Sequence, residues 1–130
     1  MKKVELVYIV EDDLIASFVI KKIVDGHSGI KSSVEFNNGL EALKALEEND
    51  KLPDFILLDL NMPIMDGWEF LEAVGSAFKG KQIPVFILSS SIDPEDKKRA
   101  KNFKNEIKGF FSKPFTDKKL EEILNLLNGL

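Results

Sequence analysis

The sequence contains no cysteine, which excludes disulfides and thiolate-bound metal centres. It contains no apolar run near the roughly 18 residues that would mark a membrane-spanning helix. Its start, Met1-Lys2-Lys3-Val4-Glu5, meets an acid too soon to read as a secretory leader, and the apolar run that follows ends at Glu11. The charge imbalance is small: 22 acids against 18 bases leave −4. That gives no basic footprint for nucleic acid. Internal repeats, low-complexity tracts and linkers are also missing. The expected location is the cytoplasm, with no membrane and no nucleic acid as partner. What remains is a chain of 130 residues, 44% hydrophobic and 31% charged. This is a globular balance, and the length suits one domain with a single core.

The most informative stretch runs from Pro53 to Gly67. Phe55 to Leu58 is a short apolar run, Asp59 ends it, and Asn61, Pro63 and Asp66-Gly67 follow as turn formers. Such a run reads as a strand buried on both faces of a parallel sheet. Val4 to Val10 reads as a second such strand, leaving on Glu11, Asp12 and Asp13. Leu14, Ile15, Phe18, Val19 and Ile23 follow at helical spacing, and Gly26 and Gly29 close that helix. Val34 to Phe36 is a short strand candidate. Asn37-Asn38-Gly39 supplies a turn and cap for a helix with a Leu40, Leu43, Leu46 stripe.

After the Asp59 strand, Asp66-Gly67 opens a helix bearing Leu71, Val74 and Phe78 and ending at Gly80. Ile83 to Leu88 forms a fourth strand and exits into Ser89-Ser90-Ser91. Asp93-Pro94-Glu95-Asp96 is a strong helix start. Lys108 to Phe111 forms the fifth strand, and Thr116 caps a last helix faced by Leu120, Ile123, Leu124 and Leu127. Five strands alternating with five helices predict an α/β fold, a parallel sheet covered on both sides. A flavodoxin-like three-layer sandwich, with strand order 2-1-3-4-5, suits that pattern.

In open sheets of this kind, ligands bind beyond the carboxyl ends of the strands. Those ends carry Glu11, Asp12 and Asp13, then Asp59, then Ser89, then Lys113. Crowded carboxylates favour a bound cation, and oxygen donors without His or Cys point to Mg²⁺ or a similar ion. A lysine and a hydroxyl opposite them suit phosphoryl oxygens. The sum points to an aspartyl-phosphate formed on Asp59. Each residue also has a plainer reading: a strand-end aspartate caps turns, and acids in a first helical turn satisfy the dipole. Asp13 fits that plainer reading well. Ser91 reads as loop, His27 as part of a glycine-bounded turn, and Trp68 as a packing residue. Lys97, Lys98, Arg99, Lys101 and Lys104 form either a solvated face or a partner surface with Phe110 and the last helix.

Four segments carry a resemblance: Val10-Glu11-Asp12-Asp13, Leu57 to Gly67, Pro84 to Ser90, and Phe111-Ser112-Lys113-Pro114-Phe115. In this order and spacing they resemble the signatures of the response-regulator receiver domain, over essentially the whole chain. The resemblance implies that Asp59 is the phosphoacceptor. It implies that Asp12, Asp59 and the backbone carbonyl of Asn61 ligate Mg²⁺, with Glu11 acting partly through water. Lys113 would bind the phosphoryl group, across a Lys113–Pro114 bond that is usually cis in the family. Ser89 would turn toward the phosphate, Ser90 would fill a position kept small, and Phe110 would stand where the switch aromatic is often Tyr.

The implied protein is a single receiver domain over 1–130 without an output domain. It would be phosphorylated by a sensor histidine kinase. It would then bind a target through the fourth helix, fifth strand and fifth helix, or relay the phosphoryl group to a histidine phosphotransfer protein. Catalysis would be confined to its own phosphoryl acceptance and loss. Two alternatives use the same residues. A Mg²⁺-dependent aspartyl-phosphate phosphatase would resemble haloacid dehalogenases, whose second Asp serves as acid/base; Asn61 occupies that position and cannot transfer a proton in that way. A pseudo-receiver scaffold would bind partners without phosphorylation, against which the full set Asp12, Asp59, Ser89 and Lys113 argues.

Overall fold

A computed structural model describes residues 3–77, 83–90 and 93–129. Each apolar run becomes a strand and each stripe a helix: β1 Val4–Val10, α1 Leu14–Asp25, β2 Ile30–Phe36, α2 Gly39–Glu48, β3 Phe55–Asp59, α3 Gly67–Ala77, β4 Val85–Ser89, α4 Pro94–Ala100, β5 Ile107–Ser112 and α5 Asp117–Asn128. A 3₁₀ turn, Lys101–Phe103, extends α4. The sheet order is β2-β1-β3-β4-β5, and every pairing is parallel. This is the expected flavodoxin-like order.

β3 and β4 are buried along their whole length. Alternate residues therefore feed two separate cores. Tyr8, Val10, Ile56, Leu58 and Ile87 point to one side and pack with Leu46, Trp68, Phe70 and Leu71 of α2 and α3. Val7, Ile9, Leu57, Phe86 and Leu88 point to the other and pack with Ile20 and Val24 of α1 and Leu120, Ile123 and Leu124 of α5. The Phe55 and Phe86 rings meet edge-on within this second core, 5.7 Å apart.

Side chains set the helix starts. Asp13 accepts from the Ile15 and Ala16 N–H groups, Asn38 from Glu41, Asp93 from Glu95 and Thr116 from Lys119. Asp66 and Glu69 form a reciprocal capping box at α3, with bonds of 2.9 and 3.0 Å.

Three expectations change. β2 starts at Ile30 rather than Val34, because Lys31, Ser32 and Ser33 lie on an edge strand whose ladder with β1 needs only backbone. The boundaries of β4 and β5 shift by one or two residues. The stripe on α1 is the larger difference. Leu14, Ile15, Phe18 and Val19 face solvent, while Ser17, Ile20 and Val24 face the sheet. The helix is apolar on most of its circumference, so periodicity alone does not choose the buried side. Phe78, Gly80 and Ser91 lie outside the described residues.

Candidate functional site

The site forms because a parallel sheet brings all its carboxyl ends to one edge. β1 runs into Glu11 and Asp12, β3 ends on Asp59, β4 ends on Ser89, and Lys113 follows β5. The Lys113 N–H donates to the Ser89 carbonyl at 2.8 Å, which extends the β4–β5 ladder one residue past the strand. The Lys113–Pro114 peptide is cis.

Glu11 and Asp59 are buried, 2% and 6% exposed, while Asp12 stands at the open mouth. The Lys113 ammonium donates to Glu11 Oε1 and lies 3.6 Å from Asp59 Oδ1. The Asp13 N–H donates to the other Glu11 oxygen at 3.1 Å. The Asn61 N–H reaches Asp59 Oδ1 at 3.5 Å, at the limit of a hydrogen bond. One lysine thus bridges two carboxylates that would otherwise repel each other.

Burial pushes the Asp59 carboxyl up to about 7, and the charge and hydrogen bond of Glu11 add to the rise. Lys113 and the Asn61 N–H oppose it without cancelling it. For Lys113, burial works against the charged form. The Glu11 hydrogen bond and the charges of Asp59 and Glu11 outweigh it and hold the ammonium above its usual 10.5. A carboxyl poised near neutrality inside a cluster of acids marks a functional site more often than a structural one.

Glu11, Asp12 and Asp59 each offer one oxygen, and these three oxygens lie within 4.8 Å of one another. Hard anionic donors at that separation fit Mg²⁺. A divalent cation there would also relieve the repulsion that raises Asp59. Asn61 is exposed beside them.

Ser89 is buried at the end of β4, and Ser90 is exposed. Phe110 is half-buried in β5, opposite Ile87, and packs on the core shared with α3 and the α4 turn. Asp13 caps α1 and contacts Glu11 only through its backbone. His27 lies away from this edge, between Gly29 and Glu121. Trp68 is buried as a packing residue, with its ring near Phe103 at 5.8 Å and beneath the Arg99 guanidinium at 4.9 Å.

Two features of the loop after Asp59 had no signal beyond its turn formers. The Met65 N–H donates to the Pro63 carbonyl at 2.7 Å, and Ile64 between them has φ of 70°. A β-branched residue in that region is strained, and its side chain is exposed. Gly67 meets the strand end so closely that an added Cβ would lie 2.8 Å from the Asp59 carbonyl and from Leu60 Cα. That approach sets where α3 starts relative to Asp59.

The family model described as the response regulator receiver domain matches residues 7–125. A sensor histidine kinase of Helicobacter pylori, CheAY, is 33% identical over 91 residues, covering 70% of this chain and 11% of that protein. This chain spans about a tenth to a fifth of the first curated relatives it matches. A two-component response regulator from Cytophaga hutchinsonii has a crystal structure that superposes with a TM-score of 0.89 at 27% identity. The match covers 98% of this chain and 99% of that one. The phosphorylated cyanobacterial phytochrome response regulator RcpA superposes with a TM-score of 0.75 at 29% identity, over 92% and 87% of the two chains.

Proposed function

The chain belongs to the response regulator receiver family, and from that premise we propose that Asp59 accepts a phosphoryl group from a kinase phosphohistidine with Mg²⁺ held by Glu11, Asp12, Asp59 and the Asn61 carbonyl. The observation that carries this reading is the convergence of a buried Asp59 with two further acids and Lys113 on one sheet edge. An ionised Asp59 oxygen attacks phosphorus, and the bond from phosphorus to the imidazole nitrogen breaks. A bound Mg²⁺ supplies positive charge against the carboxylates and the transferring oxygens. Lys113 contributes a second cation aimed at the same point.

Partner docking is supported by the apolar residues at the rim. Leu14, Ile15 and Ile64 are 73%, 78% and 74% exposed at the edge that holds Asp59, and Phe18 continues the α1 patch. A small phosphate ester needs no such surface; a protein donor does. The response would be a population shift in which Ser89 turns toward the phosphoryl group and Phe110 moves into the space it leaves. The face of α4, β5 and α5 would then bind a target, or the phosphoryl group would pass to a histidine phosphotransfer protein.

The test is intact mass after incubation with acetyl phosphate, with and without Mg²⁺, for wild type and Asp59→Asn. One phosphoryl group that requires both Mg²⁺ and Asp59 is the expected result. Addition to Asp59→Asn at the wild-type level would place the acceptor elsewhere.

A further inference from the structure

The loop that carries Lys113 is held by a second lysine. Lys119 stands in the first turn of α5, and its ammonium reaches back over the β5–α5 loop. It donates to the Ser112 carbonyl at 2.6 Å and to the Pro114 carbonyl at 2.8 Å, with the Ser112 hydroxyl at 3.4 Å. These two carbonyls belong to the residues on either side of Lys113. The base of the side chain is fixed as well, since the Lys119 N–H donates to the Thr116 hydroxyl at 3.2 Å.

A cation in the first turn of a helix opposes the helix dipole, so Lys119 gains nothing from its place in α5. The partners of its ammonium lie at the end of β5 and in the loop that follows. Together with the Lys113 N–H bond to Ser89, they anchor the backbone of Lys113 on both flanks. The Lys113 side chain has several rotatable bonds, and its Cα position decides whether Nζ reaches Glu11 and Asp59. Small displacements of such a group are costly to a reaction that depends on alignment.

We propose that Lys119 is a positioning residue: it clamps the carbonyls of Ser112 and Pro114 and so aims Lys113 at the phosphoryl site. The inference rests on the phosphoacceptor reading of Asp59. It assigns Lys119 no contact with the phosphoryl group.

The test compares phosphorylation rates from acetyl phosphate with Mg²⁺ for wild type, Lys119→Met, Lys119→Arg, Lys113→Ala and the double variant Lys113→Ala/Lys119→Met. Lys119→Met is expected to slow the reaction about fivefold, the size of effect one ordinary hydrogen bond supports. Lys119→Arg, which keeps a donor, should restore the rate to within about twofold. In the Lys113→Ala background, Lys119→Met should add nothing, because the group it positions is gone. An unchanged rate in Lys119→Met overturns the proposal. So does an undiminished slowing in the Lys113→Ala background, which would make Lys119 an independent cation.

A second arm needs no phosphorylation. Labelling of Lys113 by an amine-acylating reagent, read on the peptide by mass spectrometry, should quicken in Lys119→Met and return to the wild-type rate in Lys119→Arg. Unchanged labelling removes the clamp. If wild type accepts no phosphoryl group, the acceptor reading fails, and the labelling arm still decides whether Lys119 holds the loop.

Discussion

α1 and α5 are the same length, 12 residues each, and both pack on the same face of the sheet. Both leave strand ends that carry the site, α1 after Glu11 and Asp12, α5 after Lys113. Both start at a side-chain cap, Asp13 and Thr116. They differ in what they do with their apolar residues. α5 turns Leu120, Ile123 and Leu124 to the sheet and presents mostly polar side chains outward. α1 turns Ser17, Ile20 and Val24 inward and leaves Leu14, Ile15, Phe18 and Val19 in water. The core has taken what it can hold from α1, and a second apolar face remains. That exposed apolar face is the observation on which the proposed docking of a protein donor rests.

Stability should separate the two helices most sharply. Ile123 is fully buried, so Ile123→Ala should cost about 2–5 kcal/mol through lost transfer energy and the cavity left behind. Phe18→Ala removes a larger side chain from an exposed position and should stay within about 0.5 kcal/mol of wild type. Urea unfolding measures both. Equal losses would mean that the outward face of α1 is folded against something in the isolated chain, and the contrast would break.

The same contrast explains what sequence reasoning could reach. Phe55–Leu58 and Val85–Leu88 were legible because strands buried on both faces need unbroken apolar runs. The gathering of Glu11, Asp12, Asp59 and Lys113 at one edge was legible because the ends of such strands are where a parallel sheet collects polar groups. α5 was legible because only one of its faces is apolar. α1 was not, since two apolar faces satisfy the same periodicity and only the fit of Ile20 and Val24 against Val7 and Ile9 selects one. The first half of β2 hid because an edge strand pairs through its backbone with polar side chains. The turn at Ile64 and the reach of Lys119 depend on the path of the backbone, which no residue spacing encodes.

Between the strand ends that precede the two helices lies that of β3, and Asp59 there makes the site sensitive to pH. Asp59 rises from 3.8 to about 7 in the folded protein. Between those values the native state holds a proton that the unfolded chain has released. Stability from this group is therefore highest near pH 4, falls as pH rises toward 7, and is flat above that. A rise of that size corresponds to at most about 4 kcal/mol without Mg²⁺, and solvent screening at the open mouth of the site lowers it to on the order of 2 kcal/mol. Between pH 4 and 7 the unfolding free energy of wild type should fall by this much more than that of Asp59→Asn, and saturating Mg²⁺ should recover most of it. Parallel curves would show that Lys113 alone compensates the acids.

A smaller effect tests what the outward face of α1 is for. Phe18→Ala and Leu14→Ala should slow phosphotransfer from a phosphohistidine donor protein about tenfold, the ~1.4 kcal/mol scale of a truncated interface anchor. With acetyl phosphate the same variants should react at the wild-type rate. Equal slowing with both donors would mean that α1 acts on the site itself and not on docking.

The smallest expected effect lies where the two helices touch. His27, just after α1, accepts from the Gly29 N–H at Nδ1 over 2.9 Å, and its Nε2 stands 2.5 Å from Glu121 Oε1 of α5. The Gly29 bond occupies Nδ1, so the remaining ring proton faces Glu121. Half of the Glu121 side chain is in solvent, which screens the pair. Glu121→Gln keeps an acceptor oxygen in place and should change stability by no more than about 0.5 kcal/mol. A loss several times larger would make this pair a structural brace. α1 would then owe its orientation to α5 rather than to Ile20 and Val24, and its exposed face would follow from that brace instead of from an excess of apolar side chains.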